Sequence, residues 1–174
     1  MNKQISTLLI VTALFFASSA GIMFGSPDTK ARIKEASSIL LSSADPSITK
    51  ARILSALIEL LDVTASLTQE SQYNTEIKYR IDVAKDLFQK ESIFDDKARQ
   101  YLSFAYRMLT NGKKYERPKE LDEFVTPGEA QEKARKYAVA LVDKALASLE
   151  EGHELETAKL LLELVLMIVT PISG

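Results

Sequence analysis

Thr157-Ala-Lys-Leu-Leu-Leu-Glu-Leu-Val-Leu-Met-Ile-Val-Thr170, stopped by Pro171, is the stretch whose reading decides the fold of this chain. Between Ala158 and Val169 only Lys159 and Glu163 are polar. A helix apolar on nearly every side has to be surrounded by its own protein, a partner chain or lipid. Lipid is the poorest of the three fits. About twelve helical positions with a Glu among them fall short of the ~20 needed to cross a bilayer. The expectation is therefore a helix that the rest of the chain folds back to bury, and the alternative is a helix whose outer face is an interface.

Outward from this helix, the chain reads as helix with no convincing strand, because apolar positions recur at three and four and no β-branched run alternates. Thr126-Pro-Gly-Glu129 is a capping box, with Pro at the first helical position and Glu at the third. It opens helix five, whose stripe is Ala134, Tyr137, Leu141, Ala145 and Leu149, and Gly152 ends it. Helix four carries Ala98, Tyr101, Leu102, Ala105, Met108 and Leu109. Asn111-Gly112 stops it, and Ser92-Ile-Phe-Asp95, of capping-box form with Asp in place of Glu, opens it. Helix three runs from about Asn74 to Gln89 with Ile77, Ile81, Ala84 and Phe88 on one side. Helix two carries Leu54, Leu57, Ile58, Leu61 and Ala65 after a start signal at Asp45-Pro46. Helix one carries Ile33, Ala36 and Leu40 after Ser26-Pro27-Asp28. Connections within pairs are short, which makes consecutive helices antiparallel neighbours. The predicted fold is all-α, about six helices as three antiparallel αα-hairpins, in a compact bundle or a short α-solenoid.

The hairpins also look alike. Thr49-Lys-Ala51-Arg, Asp96-Lys-Ala98-Arg and Glu156-Thr-Ala158-Lys begin the second helix of each pair, and Arg32-Ile-Lys-Glu-Ala36 matches Arg80-Ile-Asp-Val-Ala84. The second spacing exceeds the first by about the length of an aperiodic insertion at 113–125. The segment from Leu146 through Glu150-Glu-Gly152-His to Leu161 resembles the inter-helix turn of a tetratricopeptide-type repeat, where an acidic, Gly-containing turn leads into an Ala-rich helix. That resemblance covers about one hairpin, and the family's ~34-residue spacing and Trp/Leu-Gly/Tyr pattern are missing. It implies local αα-hairpin chemistry and no family.

At the other end, Met1-Asn-Lys3-Gln4 is a short positive region, Ile5 to Phe16 is apolar, and Ala17-Ser-Ser-Ala20 follows. This reads as a secretory signal peptide at 1–20, cut after Ala20, with 21–174 as a single helical domain. The alternative is an uncleaved anchor, since Gly21-Ile-Met-Phe24 extends the apolar stretch to about twenty residues, and a membrane partner follows only in that case. Either reading puts the body outside the cytoplasm, periplasmic or secreted. Cysteine is absent, which excludes disulfides, thiolate zinc sites and a Cys nucleophile, and suits a bacterial periplasm or surface, with a eukaryotic source as the alternative. A net charge of -2 gives no electrostatic case for nucleic acid.

Residues that could carry chemistry each have an ordinary explanation. Glu150-Glu-Gly-His153 has the E-x-x-H spacing of a di-iron helix, but His153 is the only histidine and Gly152 interrupts the pair. Serines 37, 38, 42 and 43 lack the glycines of a nucleophile elbow. Asp95-Asp96 sit where a helix N-terminus favours negative charge. Arg32, Arg52, Arg80 and Arg99 recur near helix starts among acids, as solvated faces do. The sequence thus nominates no catalytic residue, no cofactor and no metal ligand.

The insertion Lys113-Lys-Tyr-Glu-Arg-Pro-Lys-Glu-Leu-Asp-Glu-Phe-Val125 combines charge with apolar side chains. Long loops are often functional, although apolar loop residues usually tie a loop down, here with Lys119 to Phe124 as a short helical turn. The functional expectation is an exported, non-enzymatic helical protein that binds another protein or itself. The candidate interaction residues are Tyr115, Arg117, Leu121 and Phe124 of the insertion and Leu162 and Leu166 of helix six. A helical binder of an apolar ligand or a membrane-associated factor is the second reading, and a metal-free enzyme the third.

Overall fold

Thr126 shows how local rules set this architecture: its hydroxyl accepts from the Glu129 N–H at 3.3 Å, and the Glu129 carboxylate accepts from the Thr126 N–H at 2.9 Å. Both halves of the capping box form, satisfying donors that a helix start otherwise leaves open. The computed structural model describes residues 27–42, 49–69, 74–122 and 126–171. Among them lie six α-helices and no strand: α1 (Pro27–Leu41), α2 (Lys50–Leu67), α3 (Asn74–Lys90), α4 (Asp96–Leu109), α5 (Pro127–Glu150) and α6 (Glu154–Val169). A 3-10 turn at Lys119–Leu121 sits in the insertion. The fold class is all-α, as the periodicity requires. The expected signal peptide, Ser26 and Asp45-Pro46 fall outside the described residues.

Helix ends follow the glycine rule. Asn111 (φ 53) and Gly112 (φ 91) turn the chain out of α4, and the Gly112 N–H donates to the Arg107 carbonyl at 2.7 Å. Gly152 (φ 77) does the same after α5, with the His153 N–H donating to the Ser148 carbonyl at 2.9 Å. Both are Schellman-type closures. One start differs from expectation. Ser92 does not cap α4; Asp95 does, accepting from the Ala98 N–H at 2.8 Å. The carboxylate is the stronger acceptor for helix-end donors. Ser92 instead accepts from the Phe94 N–H at 3.2 Å and shapes the turn from α3 into α4.

Consecutive helices pack side by side as α1–α2, α3–α4 and α5–α6, an arrangement compatible with three hairpins. The further contacts turn these pairs into a bundle. α2 and α4 both lie on α6, α1 packs on α5, and α3 bridges α2 and α4. A linear stack of hairpins would keep α1 away from α5. Here the chain wraps around its last helix. Leu161, Leu162, Leu164, Val165, Leu166 and Val169 are at most 1% exposed. Each such side chain stabilises the fold by roughly 1.5–3 kcal/mol relative to an exposed one. The buried apolar residues of all six helices form one continuous cluster. Among the described residues no helix is long and apolar enough to cross a membrane.

The apparent repeat is only partly structural. Ile33 and Ile81 are both fully buried, and Ala36 and Ala84 are 2% and 0% exposed, so the first helices do match. Ala98 and Ala158 are fully buried, whereas Ala51 is exposed. The three aligned alanines do not share a packing position.

Candidate functional site

Beyond Gly112 the insertion lies against the bundle. The backbones of α4 and α5 are not close neighbours, and residues 113–122 pack between them, on Tyr106 of α4 and on α5. Tyr115 sets its ring edge-on to Tyr106 of α4, with centroids 5.8 Å apart at 86°. The Arg117 guanidinium donates to the Thr170 carbonyl at 3.0 Å and pairs with Asp122 at 3.4 Å. Leu121 is buried, and the 3-10 turn that carries it packs on α5. Three of the candidate interaction residues, Tyr115, Arg117 and Leu121, therefore tie the insertion down. Phe124 lies outside the described residues. Leu162 and Leu166 are core residues, 0% and 1% exposed, and present no surface to a partner.

Under the insertion, Glu163 of α6 meets three phenols. Its carboxylate accepts from the Tyr137 hydroxyl of α5 at 3.0 Å. Burial, and then the Glu163 charge, push the Tyr137 phenol up to about 12. Tyr106 is raised for the same two reasons. Tyr115 is raised by burial, against the opposing pull of Arg117, and its hydroxyl has no acceptor within the protein. Such phenols stay protonated across the physiological range. The cluster gathers protonated phenols of α4, α5 and the insertion around the Glu163 carboxylate of α6, which the Tyr137 hydroxyl binds. The groove beside it, about 430 Å³, is lined by charges of both signs, including Lys144, Glu151, Glu156, Lys159 and Glu163. Lys159 is neutralised by Glu156 within the helix.

The remaining sequence candidates scatter. His153 is exposed, and its Nδ1 lies 3.3 Å from Glu151. Asp95 is consumed as a cap, and Asp96 pairs with Arg99. Arg32 pairs with Glu59 and Arg80 with Glu76, so the recurring arginines do not share one anion-binding surface. Ser38 and Ser42 donate to carbonyls of their own helix turn, at 2.8 and 3.1 Å. Among the described residues no three His, Asp or Glu side chains converge as metal ligands. An apolar recess lined by Leu40, Leu41, Ala134, Ala138, Met167 and Ile168 holds about 120 Å³. That is well below the ~300–1,000 Å³ of typical ligand sites.

The surface that stands out was not singled out by the sequence pattern. Tyr79, Phe94, Phe104 and Leu155 are the large apolar side chains exposed on the described surface, and the first three belong to α3, α4 and their turn. Tyr79 (55% exposed) packs edge-on against Tyr101 across the pair, centroids 6.5 Å apart. Phe104 (46% exposed) lies under two guanidiniums, Arg80 at 5.0 Å and Arg107 at 5.7 Å from its centroid. Beside it opens a recess of about 270 Å³ lined by Gln100, Ser103, Phe104, Arg107, Lys114 and Tyr115. A signal was present: Phe104 falls two positions beyond Leu102, off the buried stripe of α4, with Arg107 one turn later. The contribution of Arg80 from another helix has no local signature. Compared with protein-family models, curated proteins and solved structures, the chain matches none.

Proposed function

We propose that this chain is an exported, non-enzymatic helical protein that binds another protein through the outward face of α3 and α4. The observation that carries the reading is the Tyr79–Tyr101–Phe104 surface with Arg80 and Arg107 laid over it. Aromatic and arginine side chains are the groups that concentrate in protein interfaces and dominate their energetics. A helix face needed only for solubility has no use for a half-exposed Phe. Export rests on the positive, apolar and small-residue order of residues 1–20. The binding of an apolar ligand has less support, because the Leu and Val side chains of α6 are spent on the core.

The test is a photoreactive amino acid placed at position 104 of the full chain, expressed in the cells it comes from, with Lys50 as the control position. The expected result is a discrete adduct with one protein species from position 104 and none from position 50, in an envelope or secreted fraction. No adduct from position 104, or the same adducts from both, refutes the reading.

A further inference from the structure

Unpaired cations gather around the recess beside Phe104. Between residues 97 and 115 the chain carries Lys97, Arg99, Arg107, Lys113 and Lys114 and no acid. Many cations are neutralised by the fold, Lys30 by Glu150, Arg32 by Glu59, Lys85 by Asp62 and Asp82, Arg99 by Asp96 and Arg135 by Glu132, while others such as Lys34, Lys50, Arg52 and Lys144 stand singly on the surface. Among the described residues no carboxylate lies within ion-pairing distance of Arg107, Lys113 or Lys114. Arg80 is paired with Glu76 and its Nε is buried, so it supports the Phe104 ring and is not among the free cations. Cations near a helix C-terminus are stabilised by its carbonyls. That accounts for basic residues at the end of α4, but Arg107 is turned onto the Phe104 ring and Lys113 and Lys114 lie beyond the Gly112 stop.

From this we infer that the partner of this face is an acidic segment of another protein, whose carboxylates lie against Arg107, Lys113 and Lys114 while an apolar side chain enters the recess beside Phe104. The inference rests on the proposed binding function and supplies the chemistry of the partner. Its basis is charge complementarity: a cluster of cations without internal partners attracts an anionic group and selects against a basic one. Guanidinium groups suit carboxylates because they donate through a planar fork. The geometry favours a polypeptide over other polyanions. A recess of about 270 Å³ fits a side chain or two. Phe104 lies beneath two guanidiniums and is not free to insert between acyl chains.

The test uses the purified protein and a fluorescein-labelled poly-glutamate peptide carrying one central Phe, read by anisotropy. Saturable binding is expected, weakened about tenfold or more by R107E/K114E. K50E/R52E, the same charge change at exposed positions of α2, should leave it intact. Salt at about 1 M should abolish it, since charges are then screened beyond about 3 Å. K113E/K114E, both exposed, makes the same comparison should R107E/K114E unfold in a thermal melt. Lack of saturable binding, or equal loss with K50E/R52E, overturns the inference. So does tighter binding of phosphatidylglycerol vesicles or a single-stranded oligonucleotide that is lost in the same variants. If the position-104 adduct forms but survives both R107E/K114E and high salt, the acidic partner is excluded while the binding face stands. If no adduct forms, both fall.

Discussion

Leu162→Ala tests the packing on which the whole account depends. Leu162 is 0% exposed in the middle of α6, within the continuous core that joins all six helices. Truncating a fully buried Leu removes its transfer free energy and leaves a cavity, a loss of about 2–5 kcal/mol. Domains of this size are stable by about 5–15 kcal/mol, so the variant should fold but be visibly weakened. With a urea dependence of about 2 kcal/mol/M, the unfolding midpoint should fall by roughly 1–2.5 M. The control sits on the same helix: Leu155 is 48% exposed, and Leu155→Ala should cost no more than about 0.5 kcal/mol. If the two substitutions shift the midpoint equally, α6 is not enclosed and the reasoning fails. An interface role for Leu162 would have given the reverse pattern, with stability kept and binding lost.

Other outcomes follow from single contacts. Thr126→Ala removes a cap and should cost about 1 kcal/mol in urea unfolding; an unchanged midpoint would mean the capping box adds nothing. Gly152→Ala should cost about 1 kcal/mol through the left-handed backbone alone, since an added Cβ there meets nothing within 4 Å, whereas Gly128→Ala near the start of α5 should be neutral or slightly stabilising. The phenols over Glu163 should make stability fall at high pH. Their pKa values are raised above the unfolded value of about 10, so the stabilisation is complete below pH ~10 and is lost as pH climbs. For Tyr137 the loss should run up to about pH 12. Ultraviolet titration should show a late-ionising class of tyrosines that loses a member in Tyr137→Phe. A single transition near pH 10 for every tyrosine would contradict the cluster.

Where one residue's chemistry sufficed, the sequence was readable. Thr126 with Glu129, Asn111-Gly112 and Gly152 fix helix ends by local hydrogen bonding, and the structure has each where the pattern put it. Stripes such as Ile77, Ile81, Ala84 and Phe88 are all buried because a 3.6-residue period leaves little choice of face. Ser92 was misread because Asp95 offers a competing cap three residues on, and only the relative strength of the acceptors separates them. Tyr115 and Leu121 announced a loop with apolar anchors but not that they pack between α4 and α5. Phe104 was hidden for another reason: its meaning depends on Arg80, which arrives from α3 through the tertiary pairing. The purely apolar composition of Leu160 to Leu162 and Leu164 to Val169 said that α6 must be covered, while which helices cover it was not encoded locally.

Side-chain solvent exposure, measured by methyl and aromatic NMR with a soluble paramagnetic chelate, tests the central claim most directly: the chain encloses its most apolar helix and turns an aromatic face of α3–α4 outward. The account predicts that the Leu161, Leu162, Leu164 and Leu166 methyls keep their intensity while the Tyr79 and Phe104 rings are broadened. Methyls of α6 that broaden as strongly as those rings would contradict it.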